Sequence, residues 1–317
     1  MPRIVCPDDY PTILRVRPAF DRLGTLGDLT HYDSKAETEA ELIRRISGFE
    51  VVVNIRSFSK FTAGVFKAAT DLKMLSIWGT GTNHVDLEAA AAAGVTVTST
   101  PDTATDAIAE HSVALMLAVN RKLIELDRAV KNGQWPREFL TLACGKTLGI
   151  VGTGAIGLRT AVLGRGLGMN VIAWSRNADP DKAAAAGFRY VELDELLSTS
   201  DVVSVHLRLT EETEGFISAE RLSKIKPSAI LVNTARGAVV DEPALAAALA
   251  DGRLAGAGLD VFGSEPIAAG DPILGLDNVV LTPHNAGQST EVLDRGFDMA
   301  VDNVARYLAG EPVNVVV

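Results

Sequence analysis

The chain has 317 residues, 47% of them hydrophobic, and a formal net charge of −10. This length predicts two domains with sizeable buried cores, and the composition excludes an intrinsically disordered chain. The acidic balance argues against nucleic acid or an anionic membrane as partner, while a few local arginines would still suffice to hold a small anionic substrate.

The two cysteines, Cys6 and Cys144, have neither metal-ligand nor CxxC spacing. They read as reduced, packed thiols in a reducing compartment. The N-terminus reaches Asp8 and Asp9 without an apolar signal core, and no run of about 18 apolar residues occurs. A cytoplasmic protein is expected, with no membrane partner.

Residues 1–100 alternate strand-like runs at 3–6, 29–32, 51–55, 74–78 and 95–98 with helical stretches around 11–23, 36–47, 61–72 and 84–93. This rhythm predicts a parallel sheet with helices on both faces. Thr103 to Asp106 offers hydroxyl and carboxylate groups suited to a helix start. Residues 112–119 are apolar almost all round, as buried helices are, and 121–133 form a second, amphipathic helix.

The most informative stretch begins at Lys146. Leu148 to Val151 reads as a strand buried on both faces, runs into Gly152, Gly154 and Gly157, and gives way to a helical pattern from Ala155 to Leu167. Strand, glycine turn and helix together are the context that a dinucleotide fingerprint requires. Gly152 allows the tight turn, Gly154 lets the backbone approach a pyrophosphate, and Gly157 lets helix and strand pack closely. The helix N-terminus offers free N–H groups and a positive dipole end to the phosphates. Strands are expected at 147–151, 170–174, 201–205, 228–233, 255–260 and 278–281, with helices around 155–167, 192–198, 218–224 and 241–250. Six strands match a Rossmann-type sheet. A long helix over 291–308 and a strand-like tail at 313–317, free to return to the first domain, end the chain.

A carboxylate at the end of the second strand would bind the adenosine ribose hydroxyls. Here that strand ends in Ser175-Arg176-Asn177. Arg176 can pair with a 2′-phosphate and Ser175 can hydrogen-bond it, which favours NADP(H) over NAD(H). Two alternatives stay open: Arg176 stacks on adenine and either cofactor binds, or Asp179 or Asp181 supplies the carboxylate.

Three charged residues fall just after strands, on the edge where doubly wound sheets bind ligands: Arg236, Glu265 and His284. His284 can supply the proton that a ketone needs as it becomes an alcohol, Glu265 can orient the imidazole, and Arg236 can grip a carboxylate and polarise the adjacent carbonyl. The segments Asn233-Thr234-Ala235-Arg236-Gly237, Asp260-Val261-Phe262 with Glu265-Pro266, and Thr282-Pro283-His284 resemble the signatures of the D-isomer specific 2-hydroxyacid dehydrogenase family. The glycine fingerprint, Gly79-Thr80-Gly81 and residues 105–110 complete the resemblance, which covers essentially the whole chain.

The resemblance implies an α/β fold of two doubly wound parallel-sheet domains with a cleft between them. A flavodoxin-like substrate domain would comprise 1–103 and 288–317, and a Rossmann dinucleotide-binding domain 104–287. It implies catalysis by Arg236, Glu265 and His284, with the substrate domain closing on the site. Implied cofactor contacts are Gly152, Gly154, Ala155, Ile156 and Gly157 at the pyrophosphate, and Thr105, Ala235 and Asp260 on the nicotinamide side. Ser175, Arg176, His206, Leu207, Thr234, His284 and Gly287 complete that set. Implied substrate contacts are Arg56, Ser57, Gly79 and Thr80 with Arg236 and His284. A homodimer is implied, bridged in part by the apolar helix near 105–120. No metal is expected: His31, His84, His111 and His206 lack ligand spacing and read as structural or cofactor-adjacent.

The chain departs from the family pattern at three places: Ser175-Arg176, which is similar to NADP-preferring reductases; Arg208, where proline is expected; and Asn285, where an aliphatic residue is common. Arg208 either reaches the adenosine phosphate or is solvated, and Asn285 implies a more polar pocket wall. The expected reaction is reduction of a small 2-keto acid of the glyoxylate or hydroxypyruvate class. One alternative is D-3-phosphoglycerate dehydrogenase, suggested by Arg56, which otherwise reads as a salt-bridged arginine at a domain edge. Phosphite dehydrogenase stays open, whereas formate dehydrogenases pair the histidine with glutamine. An alternative of another class is an NAD(H)-sensing, corepressor-like binding protein.

Overall fold

The apolar runs of the first hundred residues become strands β1 (Arg3–Cys6), β2 (Asp28–His31), β3 (Val51–Ile55), β4 (Met74–Trp78) and β5 (Thr96–Thr98). In this computed structural model, which describes residues 1–55 and 58–317, they form a parallel sheet in the order β2-β1-β3-β4-β5. That is a doubly wound order of the flavodoxin type. Every residue of β3 and β4 is buried, as expected for strands covered on both faces. Helices α1 (Pro18–Leu26), α2 (Glu39–Ile46), α3 (Ala63–Ala68) and α4 (Leu87–Ala92) connect them. Side chains of Thr38, Thr62 and Asp86 cap the last three. The helix expected from residue 11 begins only at Pro18. The Asp9 carboxylate accepts from the N–H groups of Ile13 and Leu14 at 2.9 and 3.1 Å, which holds that stretch as a loop. Pro18, with its preset φ, then starts the first turn.

The second series runs α5 (Thr105–Asn120), α6 (Leu123–Lys131), β6 (Thr147–Val151), α7 (Ala155–Gly166), β7 (Asn170–Trp174), α8 (Pro180–Ala186), β8 (Arg189–Tyr190) and α9 (Leu193–Thr199). It continues through β9 (Val202–Val205), α10 (Ala219–Lys224), β10 (Ile230–Asn233), α11 (Glu242–Ala250), β11 (Gly256–Leu259) and β12 (Val279–Leu281). The parallel sheet has the order β12-β11-β10-β9-β6-β7-β8, the Rossmann arrangement with β6 at the switch point. It has one strand more than the six predicted. β8 is only two residues long, sits at the sheet edge and has no apolar run to announce it. Helix α8 also escaped sequence reading; Asp179 caps it through the N–H groups of Asp181 and Lys182.

Helix α5 buries Ala109, Ser112, Leu115 and Met116, and Ala114 is exposed in the single chain. The last helix, α12 (Thr290–Leu308), folds with the first series: Phe297, Ala300, Val301 and Val304 join Ile4, Leu23 and Trp78 in one buried cluster. The tail returns to the same sheet, where Val316 N–H donates to the Val97 carbonyl at 2.7 Å and Val97 N–H to that of Val317 at 2.8 Å. The chain thus divides into two units, Met1–Ala104 with Gln288–Val317 and Thr105–Gly287. Cys6 is buried as expected, but Cys144 is exposed rather than packed. Among the described residues, no helix is long and apolar enough to cross a membrane.

Candidate active site

In the unit Thr105–Gly287 all strands run parallel, so their carboxyl ends share one edge. The loops leaving β6, β7, β9, β10, β11 and β12 at that edge carry most of the residues singled out in the sequence.

After β6 the chain turns at Gly152, whose φ is +102°. A Cβ there would lie 2.9 Å from the His206 carbonyl oxygen and 3.0 Å from a Leu207 methyl, so the position needs glycine both for its backbone and for its neighbours. A Cβ on Gly157 would come 2.0 Å from the Gly152 carbonyl oxygen, which fixes how closely α7 approaches the turn. Gly154 stands at the N-cap without a capping side chain, and the space its Cβ would take is open. The first-turn N–H groups of Ala155 and Ile156 therefore face no protein cap. This cradle fits the diphosphate of a dinucleotide.

Beside it, β7 ends at Trp174, whose ring stacks on Phe216 with centroids 5.0 Å apart. Half-buried Ser175 and exposed Arg176 follow. Arg176 forms an ion pair with Glu212 in the loop after β9, a partner that sequence reading did not identify. Asp179 is committed to capping α8, and its hydrogen bonds with Lys182 hold its carboxyl below the usual range.

His206 follows β9, with Nε2 2.8 Å from Ser204 Oγ. Burial pushes its pKa down to about 4, so it is neutral near pH 7 and poorly suited to deliver a proton there. Arg208 is exposed, and its charge together with burial lowers the pKa of Arg236 while Glu265 opposes them, burial being the largest cause.

The turn after β10 is built by Asn233. Its amide donates to the Arg236 carbonyl at 3.0 Å and its oxygen accepts from Ala235 N–H at 3.0 Å. Arg236 is half-buried, with Nη1 2.6 Å from the Ala235 carbonyl oxygen and the rest of its fork uncommitted among the described residues. Thr234 is buried, and its hydroxyl is bonded to that of Ser112 at 2.8 Å.

Glu265 and His284 meet directly: Nδ1 of the ring lies 2.7 Å from Oε2, while Oε1 accepts from Phe262 N–H at 3.0 Å. Nε2 is thereby left free among the described residues to exchange a proton. His284 itself has φ +52°, an uncommon backbone for a side chain of this size. Asp260, fully buried, holds that conformation. Its carbonyl accepts from His284 N–H at 2.8 Å, and its carboxylate accepts from Asn285 and Ala286 N–H at 3.0 and 2.9 Å and from Thr282 Oγ1 at 2.6 Å. His111 adds a bond to Thr282 Oγ1 at 2.9 Å.

Thr105 opens α5, and Gly287 closes this unit. Gly79 and Thr80 belong to the other unit, after β4. Gly79 N–H donates to Thr100 Oγ1 at 2.8 Å and Thr80 Oγ1 to the Thr100 carbonyl at 3.2 Å. Arg56 and Ser57 lie outside the described residues.

A dinucleotide cradle beside an acid–base pair at one edge of a Rossmann sheet defines a nicotinamide-dependent oxidoreductase. The family model described as D-isomer specific 2-hydroxyacid dehydrogenase, NAD binding domain, matches residues 113–286. A glyoxylate reductase from Korarchaeum cryptofilum is 39% identical over 90% of this chain and 87% of its own length. A D-3-phosphoglycerate dehydrogenase from Archaeoglobus fulgidus is 41% identical over 86% of this chain, but only 52% of that protein is covered. Among solved structures, an acyclic imino acid reductase (Bsp5) in complex with NADPH and D-Arg has 31% identity and a TM-score of 0.89, covering 99% of this chain and 100% of that one. The chain belongs to the D-isomer specific 2-hydroxyacid dehydrogenase family.

Proposed function

We propose that this chain reduces a small 2-keto acid of the glyoxylate or hydroxypyruvate class to the D-2-hydroxy acid, and catalyses the reverse oxidation. The observation that carries this reading is the 2.7 Å contact between His284 and Glu265 on the sheet edge that also bears the glycine turn. A reduced nicotinamide held in this cradle would supply the hydride that the keto carbon needs. His284 gives the proton on Nε2 to the carbonyl oxygen, and Glu265 balances the imidazolium charge before transfer. Arg236 holds the substrate carboxylate in its planar fork and polarises the neighbouring carbonyl.

In this reading Thr105–Gly287 is the cofactor domain and the other unit the substrate domain. Gly152, Gly154, Ala155, Ile156 and Gly157 hold the diphosphate, with His206 and Leu207 alongside. Thr105, Thr234, Ala235, Asp260 and Gly287 flank the nicotinamide. Ser175 and Arg176 favour NADP(H) over NAD(H), and the NADPH complex of the imino acid reductase supports that preference. The working assembly is a homodimer, supported by Leu123, Ile124, Trp135, Phe139 and Leu142, large apolar side chains exposed in one unit.

The Archaeoglobus fulgidus relative favours a second reading, oxidation of 3-phosphoglycerate. Loss of reduced nicotinamide absorbance, with hydroxypyruvate, glyoxylate or 3-phosphohydroxypyruvate as oxidant, separates the two. The main reading expects the unphosphorylated acids to have the higher kcat/KM. A higher value for the phosphorylated acid would establish the second reading in its place.

A further inference from the structure

Arg176 is the residue on which 2′-phosphate recognition rests, yet it is paired with Glu212. The contact joins two braced loops. Trp174, two residues before Arg176, stacks on Phe216, four residues after Glu212. The Glu212 loop is tied by buried Thr213, whose Oγ1 donates to the Arg208 carbonyl at 2.6 Å and accepts from Thr210 N–H at 2.7 Å. Arg176 has no other carboxylate partner among the described residues.

We infer that Glu212 is a cofactor-selectivity residue: it occupies the Arg176 guanidinium that a 2′-phosphate would otherwise take, and so keeps the 2′-hydroxyl cofactor competitive. The inference rests on the dinucleotide reading above. A cofactor with a 2′-hydroxyl leaves the ion pair intact. One with a 2′-phosphate must displace Glu212 and then sit near the freed carboxylate. Both side chains are largely exposed, so the effect is modest.

The test is fluorescence titration of the full-length protein with NADPH and NADH, in the parent, Glu212→Gln, Arg176→Ala and the double variant. The ratio Kd(NADH)/Kd(NADPH) should rise about two- to fivefold in Glu212→Gln, the range set by an exposed ion pair. In the Arg176→Ala background the same substitution should raise the ratio distinctly less, because only the direct repulsion between carboxylate and phosphate remains to be relieved. A ratio unaltered by Glu212→Gln overturns the inference, and so does an equal rise in both backgrounds, which would make Glu212 a simple repulsive charge. A parent protein that binds neither nucleotide would overturn the dinucleotide reading itself.

Discussion

His284 Nδ1 lies 2.7 Å from Glu265 Oε2, and Glu265 is steadied in turn by the N–H of Phe262. A hydrogen bond to a charged partner contributes about 1.5–3 kcal/mol. Glu265→Gln keeps the shape and loses the charge. It should lower kcat/KM for keto acid reduction about 10- to 100-fold with cofactor affinity preserved, as steady-state kinetics and a nucleotide titration would report. An unchanged kcat/KM would remove Glu265 from the proton-transfer unit.

Asp260 fixes the loop that carries His284. Asp260→Asn turns one oxygen into a donor that faces donors, leaving at least one buried N–H or O–H without an acceptor, at a cost of about 1–3 kcal/mol. Thermal unfolding should shift down by about 5 °C. Turnover should fall as well, because the side-chain contacts that hold Thr282, Asn285 and Ala286 around His284 weaken, although the backbone bond to His284 N–H remains. A variant with wild-type melting would show that the loop holds itself.

Asp8 gives the protein a pH dependence unrelated to catalysis. It is fully buried beside the Asn54 amide, and burial pushes its carboxyl from 3.8 up to about 6. The folded chain keeps this proton up to about pH 6 and the unfolded chain only up to about 3.8. Its favourable contribution is therefore complete below about pH 3.8 and lost as the pH rises through about 6, a change of about 3 kcal/mol. Urea unfolding at pH 4 and pH 7.5 should show this loss in the parent and a much smaller one in Asp8→Asn. Equal losses would mean that Asp8 ionises as an ordinary surface carboxylate does.

Trp135 and Phe139 are 75% and 108% exposed, an apolar surface that the proposed homodimer would cover. Light scattering should give twice the chain mass for the parent. Trp135→Ser with Phe139→Asp should give one chain mass. A monomeric parent would contradict the homodimer.

The placement of the strands and of Arg236, Glu265 and His284 after them was readable because buried parallel strands are short apolar runs and ligand groups collect where they end. The glycine turn was equally plain, since Gly152 and Gly157 stand where any side chain would collide. What escaped reading depends on contacts distant in sequence or on elements with little pattern. β8 has two residues at a sheet edge, and the loop that delays α1 depends on the Asp9 carboxylate rather than on any apolar period. Glu212 meets Arg176 across 36 residues, and nothing local marks it as a partner. The Asp260 brace was likewise hidden: its motif position is visible, but the three acceptor contacts of its carboxylate exist only once β11 and β12 lie side by side.

The central claim is that His284 delivers the proton, and the most direct measurement compares turnover of hydroxypyruvate by the parent and by His284→Asn, alongside nucleotide titration of both. Positioned general acid catalysis contributes about 10²- to 10⁴-fold, so kcat should fall by that much while the variant still binds the cofactor. Turnover at the parent's rate in His284→Asn would contradict the account and move the proton donor elsewhere on the sheet edge.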